Sequence, residues 1–449
     1  ARGLCRVISR PPSMTSRRQC SAEDAVQHKK RPSSSRTTRH YHLIILLLLL
    51  VNHVFTTLSL ETVSMSLSSR APSTIRVVSY NLLSSHLASP LHFTACDPDH
   101  LDSEKRLPKI LTKIEKEIDN NAIICLQEVS YTWASHLHTF FANRSYHLIT
   151  GLYGKKFNNY MGVAMAYPLD RYETLQTDIS RLSDTRENGW PTPPADNDDE
   201  RSLVTRTLSN AWRRGGRVVT TTFDAVIRGT VRRLFGFDKV PEKREIDHWD
   251  MAQNRHNVFL FARLRDKSTG ADFAIGTYHM PCAFFAPMVM TIHAEMVVRR
   301  LRRLSNGAAC VLAGDFNILP DSPTYRLITS GVLDRAVESE DYPSAKWGME
   351  WVSGISGAEG WMRSAYAVKE GREPDFTNYA KIKEDDPFIG TLDYIFISDE
   401  WDVLEVDKIP HRNDVKGPLP NADEPSDHVL IAANLQITPN SQDVCLGDE

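Results

Sequence analysis

The sequence of 449 residues predicts an α/β domain that begins near Ile75. Several short apolar segments of strand length recur along the chain, and an amphipathic segment with helical spacing lies between two of them. Strands that alternate with helices are typical of α/β folds. The composition, with 41% hydrophobic and 24% charged residues, is that of a globular protein and excludes a fibrous or wholly disordered chain.

The first unit of this pattern runs from Ile75 to Glu128. "TIRVVSYNLL" predicts a strand that ends at Asn81, and "AIICLQEV" predicts a buried strand that ends at Glu128. Between them, "SEKRLPKILTKIEKEI" predicts a helix with Ser103 as its N-cap. One face of that helix carries the aliphatic residues Leu107, Ile110, Leu111, Ile114 and Ile118.

The pattern returns in the second half of the chain. A strand is predicted over 273–280, a helix over 291–304 and a strand at "AACVLAG". Two further segments, 391–398 and 426–435, are also typical of strands. We therefore expect one domain over 73–438, large enough to be a catalytic domain, with residues 439–449 as a tail.

The first 72 residues differ from the rest and predict a targeting or anchoring segment. Residues 1–40 hold ten Lys or Arg against two acids, and the apolar run Leu43–Val51 follows. That run is shorter than the ~20 residues that span a bilayer. It matches the apolar region of a signal peptide, and an extension through Leu60 is compatible with a signal anchor. We expect the secretory route or membrane anchorage through residues 40–60; organellar and cytoplasmic locations are the alternatives.

Residues 186–250 are interpreted as an insertion in the domain. A Pro-rich acidic stretch at 190–200 is followed by 201–240, where nine Lys or Arg stand against two acids. A single-stranded RNA enzyme needs a basic groove with aromatic platforms. This segment, with Trp212, Phe235 and Phe237, offers both; a solvated or membrane-facing amphipathic segment is the alternative.

Several site classes are excluded by missing motifs. The seven cysteines form no C-x-x-C pair and no zinc-type spacing, and we expect no disulfide framework. Cys125 and Cys310 lie in apolar strand-like runs, where a thiol is usually a core residue. The sequence also has no phosphate-binding P-loop, no dinucleotide glycine fingerprint and no Ser or Cys nucleophile motif.

Polar residues are concentrated at the predicted strand ends. They are Asn81, Glu128, His279, Asp315, Asn317, Asp393, Asp427 and His428. Each has an ordinary structural explanation, such as a turn or a core histidine with its hydrogen bonds satisfied. Asp393 is the exception, because it is the only charge in an apolar strand and a buried carboxylate without a partner is costly. It requires a cation or a donor, which His428 can supply.

Together these residue types suit phosphodiester hydrolysis. Mg²⁺ prefers oxygen ligands and is often held by one or two carboxylates and the substrate phosphate. The reaction needs an activated water, positive charge on the phosphoryl oxygens and a proton for the leaving group. A histidine oriented by an aspartate can donate to the phosphate, and a second carboxylate can transfer the proton.

The chain resembles the endonuclease/exonuclease/phosphatase superfamily, whose fold is that of pancreatic deoxyribonuclease. The matching blocks are "SYNLL", "LQEV", "GTYHMP", "GDFNILPDS", "LDYIF" and "PSDH", in that order. Residues 364–398 and "NRHNV" at 254–258 are similar to the nocturnin and carbon-catabolite-repressor type deadenylases. No leucine-rich repeat precedes the domain, so we expect no docking module of that kind.

The resemblance implies an α/β fold of two packed mixed β-sheets flanked by helices, a four-layer α/β sandwich. It implies Mg²⁺, or Mn²⁺ in its place, as the cofactor. The implied metal ligands are Glu128, as the principal ligand with Asn81 nearby, and Asp427, as a ligand for a second metal ion if two are bound. The implied catalytic residues are Asp315 for proton transfer, His279 and His428 as hydrogen-bond donors to phosphoryl oxygens, and Asp393 to orient His428. Asn81, Asn317, Asn257 and Asn378 are implied as substrate-binding residues.

Three functions remain open. The first is a Mg²⁺-dependent 3′-to-5′ exoribonuclease of the deadenylase type, with RNA as partner and membrane contact through the N-terminal segment. The second is a phosphatase or phosphodiesterase on a small phosphorylated metabolite, such as a nucleotide or inositol phosphate. The third is a catalytically inactive binding module, which the complete set of acids argues against.

Overall fold

The computed structural model describes the greater part of the domain that begins at Ile75. The described residues are 73–153, 160–187, 189–191, 247–333, 361–383 and 385–438. The predicted targeting segment 1–72, most of the predicted insertion with its basic part 201–240, and the tail 439–449 lie outside them. Among the residues that are described, no helix combines the length and the apolar character needed to cross a bilayer.

The first β-sheet has six strands, and both ends of the domain contribute to it. In spatial order they are β13 (Trp401–Val406), β14 (Ile431–Ile437), β1 (Ile75–Asn81), β2 (Ile123–Gln127), β4 (Met161–Pro168) and β3 (Tyr146–Tyr153). β1 and β2 are parallel, and the other neighbours are antiparallel. The sheet is therefore mixed.

The second sheet has the same number of strands and the same mixed character. Its order is β5 (Tyr172–Arg181), β6 (Val258–Asp266), β7 (Asp272–His279), β8 (Ala309–Asp315), β12 (Asp393–Ile397) and β9 (Arg363–Ser364), with only β7 and β8 parallel. A separate two-stranded ribbon joins β10 (Asn378–Ala380) to β11 (Phe388–Gly390). Gly314 is required in β8, because a Cβ there would lie 1.9 Å from the carbonyl oxygen of Tyr278.

Helices cover the outer faces of the sheets. The described helices are α1 (Pro98–Leu101), α2 (Ser103–Asp119), α3 (Tyr131–Ala142), α4 (His248–Gln253), α5 (Pro287–Ser305), α6 (Pro323–Ser330) and α7 (Ala365–Glu370). Short 3₁₀ helices occur at Leu182–Thr185 and Arg412–Asp414. Pro begins α1, α5 and α6, where the missing backbone N–H costs no hydrogen bond.

Three apolar clusters separate four layers. The middle cluster lies between the two sheets and includes Val77, Cys125 and Val311, whereas Val78 faces a second cluster under α2 and α3. The third cluster joins the second sheet to α5 and includes Leu312. Successive residues of a strand point to opposite faces, so strands buried on both faces are apolar throughout. The predicted two packed mixed β-sheets flanked by helices are confirmed.

Some predicted boundaries are wrong. Asp102, not Ser103, caps α2, because its side chain accepts a hydrogen bond from the Glu104 backbone N–H. β14 begins at Ile431, so the first residues of the predicted strand 426–435 form a loop. The predicted end of the insertion at residue 250 falls inside α4, whose Trp249 is buried in the cluster under α5.

Candidate functional site

The directions of the strands bring the predicted polar residues to one edge of the sheets. In the ladder, Asp315 at the end of β8 is paired with His279 at the end of the parallel strand β7. It is also paired with Asp393, which begins the antiparallel strand β12. Because an antiparallel strand starts where its neighbour ends, residues distant in sequence meet here. Asn81, at the end of β1, reaches the same point from the first sheet.

The carboxylate of Asp315 is the centre of this arrangement. Its Oδ2 accepts a hydrogen bond of 2.9 Å from Asn81 Nδ2. The Nε2 atoms of His279 and His428 lie 3.5 and 3.7 Å from the same oxygen. Its Oδ1 accepts the backbone N–H of Asn317 at 3.0 Å. Three nitrogen atoms from three separate chain segments therefore surround one buried carboxylate oxygen.

The environment of Asp315 adjusts its acidity. Its pKa is raised to about 6, mainly by burial and also by the charge of the neighbouring Asp393, against the charges of His428 and His279, which lower it. A proton acceptor works best when its pKa lies near the working pH. Asp315 is therefore ionised at neutral pH yet basic enough to accept a proton.

His428 and Asp393 form a buried pair. The Nδ1 of His428 lies 2.7 Å from Oδ2 of Asp393, which also accepts the Thr377 hydroxyl at 2.7 Å. Burial lowers the pKa of His428, but the carboxylates of Asp393, Asp315 and Asp427 together raise it well above its ordinary value. The imidazole thus keeps its proton at neutral pH, and its Nε2–H is a donor toward the cleft.

His279 is held from two sides. Its Nδ1 lies 3.2 Å from the Tyr153 hydroxyl, and its backbone oxygen accepts Asn257 Nδ2 at 2.7 Å. Asn317, which has a positive φ of 52°, donates its side-chain N–H to the Met280 carbonyl at 3.1 Å. The amide nitrogens of Asn257 and Asn317 therefore fix the end of β7, and both residues also line the cleft.

Glu128 and Asp427 fit a divalent cation with oxygen ligands. Glu128 follows β2 with φ of 58°, and one of its oxygens accepts the Ser84 N–H at 2.8 Å. Asn378 donates to Oδ2 of Asp427 at 3.2 Å, whereas Oδ1 is buried and has no hydrogen-bond partner among the described residues. Burial raises the pKa of Asp427. A cation would compensate these carboxylates, and hard oxygen donors suit Mg²⁺.

A second group of potential ligands lies beside the first. Ligand atoms of Asp315, Asp393 and His428 lie within 4.8 Å of one another, and Oδ1 of Asp393 also lacks a described partner. A histidine must be neutral to bind a metal. The carboxylates of Asp393, Asp315 and Asp427 raise the pKa of His428, and the positive charge of the protonated imidazole disfavours a metal cation beside it. Glu128 and Asp427 are therefore the better pair.

Arg106 supports the site and was not predicted. This buried residue of α2 donates to the carbonyl oxygens of Leu82 and Leu83, after β1, and to that of Pro425, before Asp427. Burial lowers its pKa to about 10, opposed first by the charge of Asp427. The burial of Arg106 is indicated by the sequence, because residue 106 is four positions before Ile110 and therefore lies on the apolar face of the helix.

One cleft of about 880 Å³ is lined by most of the site residues, namely Glu128, Asn257, His279, Asp315, Asn317, Asn378, Asp427 and His428. Phe284 and Phe388 stand at its rim with ring centroids 6.4 Å apart, and they are 53% and 36% exposed. Of the described residues that line the cleft, Arg255 is the only lysine or arginine. The cleft thus combines a carboxylate and histidine floor with an aromatic rim.

Known proteins resemble this chain in sequence. The profile of the Endonuclease/Exonuclease/phosphatase family matches residues 78–428. Nocturnin of Drosophila melanogaster is 25% identical over 214 residues, which are 47% of this chain and 32% of Nocturnin. The CCR4-Not complex 3′-5′-exoribonuclease subunit Ccr4 of Phaeosphaeria nodorum is 38% identical over 128 residues, which are 27% of this chain and 19% of that protein. The matches thus span a third or less of these curated relatives.

A solved structure has the same fold. The crystal structure of ANGEL2, described as a 2′,3′-cyclic phosphatase in complex with adenosine-2′,3′-vanadate, superposes with a TM-score of 0.54. The match covers 82% of this chain and 96% of that chain at 18% sequence identity. At this identity the likeness concerns the fold alone.

Proposed function

The chain belongs to the endonuclease/exonuclease/phosphatase family, and we propose that it hydrolyses phosphodiester bonds with a divalent metal ion, Mg²⁺ or in its place Mn²⁺. One observation carries the proposal. The buried Asp315 carboxylate, with a pKa raised to about 6, lies among the nitrogen atoms of Asn81, His279 and His428. A proton acceptor and groups that can donate hydrogen bonds to a phosphate therefore face the same small space.

In the proposed reaction Asp315 accepts the proton of the attacking water as the bond from phosphorus to the leaving oxygen breaks, and it passes that proton on to the leaving oxygen. Asn81 and Asn317 hold the two carboxylate oxygens of Asp315 in place. The Nε2–H of His428 donates to a phosphoryl oxygen, and Asp393 maintains both the orientation and the charge of that imidazole. His279 donates from the other side of Asp315. Preorganised donors of this kind stabilise charge that develops in the transition state.

Glu128 and Asp427 are the residues that would hold the metal ion. When bound, the ion would supply positive charge for the phosphoryl oxygens and the leaving group. The unpartnered Oδ1 of Asp427 is the observation that supports this assignment. Asn378 then acts on the metal pair as well as on substrate, because it fixes the other oxygen of Asp427.

The substrate that we propose is RNA, cleaved from its 3′ end. The name of one relative supports this choice, the CCR4-Not complex 3′-5′-exoribonuclease subunit Ccr4 of Phaeosphaeria nodorum. Phe284 and Phe388 at the rim offer faces on which bases can stack. Such stacking is tolerant of sequence, which suits an enzyme that removes successive nucleotides of any base.

A small phosphorylated metabolite is the second candidate, and one observation favours it. A long polyanion needs a track of cationic side chains, whereas Arg255 is the only lysine or arginine among the described residues that line the cleft. The volume of about 880 Å³ also suits a single nucleotide-sized ligand, because small-molecule pockets span roughly 300–1,000 Å³.

The test is a turnover assay of the full chain with Mg²⁺. Labelled poly(A), mixed RNA, DNA and a panel of phosphorylated metabolites are compared, with the Glu128→Gln variant as the control for contaminating nucleases. We expect stepwise shortening of RNA from its 3′ end. Turnover of a metabolite alone would favour the second candidate, and no turnover of any phosphoester would refute the proposed function.

A further inference from the structure

Arg255 has no assigned role, although it lies in the cleft. It belongs to the short loop between α4 and β6. Its Nε is buried without a hydrogen-bond partner, and within the described part of the chain its guanidinium forms no hydrogen bond or ion pair. No described carboxylate lies within 4.0 Å of its nitrogens, although Glu128, Asp315 and Asp427 line the same cleft. The guanidinium therefore stands apart from the catalytic acids.

The backbone beneath Arg255 is held firmly. Its carbonyl oxygen accepts Arg181 Nε and the Ser183 hydroxyl, each at 2.8 Å. Arg181 also binds the carbonyl of Gln253 at 2.6 Å. Two residues further on, Asn257 binds the backbone of His279. A side chain presented from such a support is positioned for a ligand, because its loop loses little freedom on binding.

Arg255 lines the same cleft as the residues proposed for catalysis. The pKa of Cys282, another residue of the cleft, is raised to about 11, mainly by burial. The charges of Asp315 and Glu128 raise it too, and the charge of Arg255 opposes them. The charges of these acids and of Arg255 therefore act on the same thiol in opposite directions.

The chemistry of the guanidinium selects its ligand. A buried donor without a partner is unfavourable, and a planar guanidinium pairs best with a phosphate or a carboxylate. The cleft already contains three acids, so a further anion enters it only as part of the substrate. In the proposed reaction, His279 and His428, whose Nε2 atoms lie near Asp315, donate to the scissile phosphate. Arg255, which stands apart from them, is available to a different phosphate.

We propose that Arg255 binds a second, non-scissile phosphate of the substrate, and this inference rests on the proposed function. The preferred substrates then carry at least two phosphates. Two sources share this chemistry: the neighbouring phosphodiester of an oligonucleotide and the second phosphate of a small bisphosphorylated metabolite. A substrate with one phosphate leaves Arg255 without its ligand.

The test compares substrates that differ by one phosphate. Wild type, Arg255→Ala and Arg255→Lys are assayed with Mg²⁺ on the dinucleotide ApA and the trinucleotide ApApA. Binding of labelled oligoadenylate, adenosine 3′,5′-bisphosphate and adenosine 5′-monophosphate is measured in chelator over a range of salt concentrations. Arg372→Ala is the matched control, because Arg372 is exposed and does not line the cleft.

We expect Arg255→Ala to weaken KM or Kd about 10-fold for ligands with two phosphates, the usual order for a lost charged hydrogen bond. Ligands with one phosphate should be nearly unchanged, kcat should be maintained, and Arg255→Lys should recover part of the loss. For labelled oligoadenylate, the slope of log affinity against log salt should fall by roughly 0.7. Arg372→Ala should behave as wild type.

The two proposals fail in different ways. Absence of turnover in the wild type refutes the proposed function. The binding measurements then still test whether Arg255 binds a second phosphate. Equal effects on one-phosphate and two-phosphate ligands, or an unchanged salt slope, overturn the role of Arg255. A response of ApApA without the bisphosphate identifies a nucleic-acid phosphate, and the reverse identifies a metabolite; either result supports the second-phosphate site.

Discussion

At the scale of single residues, the protonation of Asp315 sets the pH range of the proposed reaction. A carboxyl group must be ionised to accept a proton, and burial raises the pKa of Asp315 to about 6. The rate should therefore fall as pH decreases through about 6. Because the pKa of His428 lies well above its ordinary value, its donor proton remains through neutral pH. We expect kcat/KM to rise through about pH 6 and then remain level near pH 7.

The variant Asp315→Asn provides the control for this profile. It should cost at least ~10²-fold in rate, the usual contribution of general acid–base catalysis, while substrate binding changes little. The rise of kcat/KM through about pH 6 should be absent from the pH profile of the residual activity. If the same rise through about pH 6 persists in Asp315→Asn, another group titrates in that range and the role proposed for Asp315 is wrong.

Metal dependence is predicted to act through Glu128. Glu128→Gln should remove nearly all turnover, because an amide is a much poorer ligand for Mg²⁺ than a carboxylate. The fold should be retained, since the side chain is half-buried and accepts one described hydrogen bond, from Ser84. Turnover is measured over a Mg²⁺ titration, with Glu370→Gln, an exposed position, as the matched control. Full activity of Glu128→Gln, or of wild type in excess chelator, would contradict the metal mechanism.

The pair His428 and Asp393 should act as a unit. Asp393 raises the pKa of His428 and accepts its Nδ1–H, so either substitution disturbs the same donor. We expect His428→Ala and Asp393→Asn each to lower kcat, and the double variant to lose little more than His428→Ala alone. The four rates form a double-mutant cycle. Strictly additive losses would show that the two residues act independently.

At the scale of elements, the site depends on loops that α2 holds together. Arg106 binds the loop after β1, which follows Asn81, and the loop that precedes Asp427. Arg106→Met keeps the apolar stem but leaves three carbonyl groups without their donor. We expect the free energy of unfolding to fall by roughly 3 kcal/mol, as for other buried charged hydrogen bonds. Chemical denaturation measures this, and kcat should fall with it.

A control on the same helix separates this effect from simple loss of charge. Lys109 is exposed on α2, and its amino group binds only the carbonyl of Ala422 among its described partners. Lys109→Met should leave stability and kcat nearly unchanged. Equal effects of Arg106→Met and Lys109→Met would show that Arg106 does not organise the site.

The helices and strands also show which sequence patterns were sufficient to predict a buried face and which were not sufficient to predict a boundary. The helical spacing of Ile110 and Ile114 predicted the buried face of α2, and both side chains are fully buried. The cap was wrongly placed at Ser103 because Asp102 and Ser103 are both good capping residues, and only the backbone geometry distinguishes them. The start of β14 was misplaced because the apolar residues of 429–431 continue into the loop.

At the scale of the whole molecule, the first and last strands of the domain hold each other. β14 lies between β13 and β1, and its Ile431, Ala433 and Leu435 are fully buried. Ending the chain at residue 430 should therefore abolish the cooperative thermal transition, because it exposes the middle of the first sheet. Ending it at residue 438 should leave the melting temperature near that of the full chain. Similar melting temperatures for both truncations would contradict this account.

The sequence by itself determined which chemistry is present. The strand ends that it predicted carry Asn81, Glu128, His279 and Asp315, and a carboxylate in the apolar strand of Asp393 required a partner. Residue type and local spacing are properties of the chain, so these inferences needed no coordinates. The resemblance to a known family supplied the two-sheet fold, which is confirmed.

Only the tertiary structure decided how those residues meet. Strand direction cannot be read from an apolar run, and it is the antiparallel order of β12 against β8 that sets Asp393 beside Asp315. The raised pKa of Asp315, the bond from His428 to Asp393 and the unpartnered oxygen of Asp427 all follow from burial at that edge. Burial and distance arise from packing between segments far apart in sequence, and therefore no local pattern contains them.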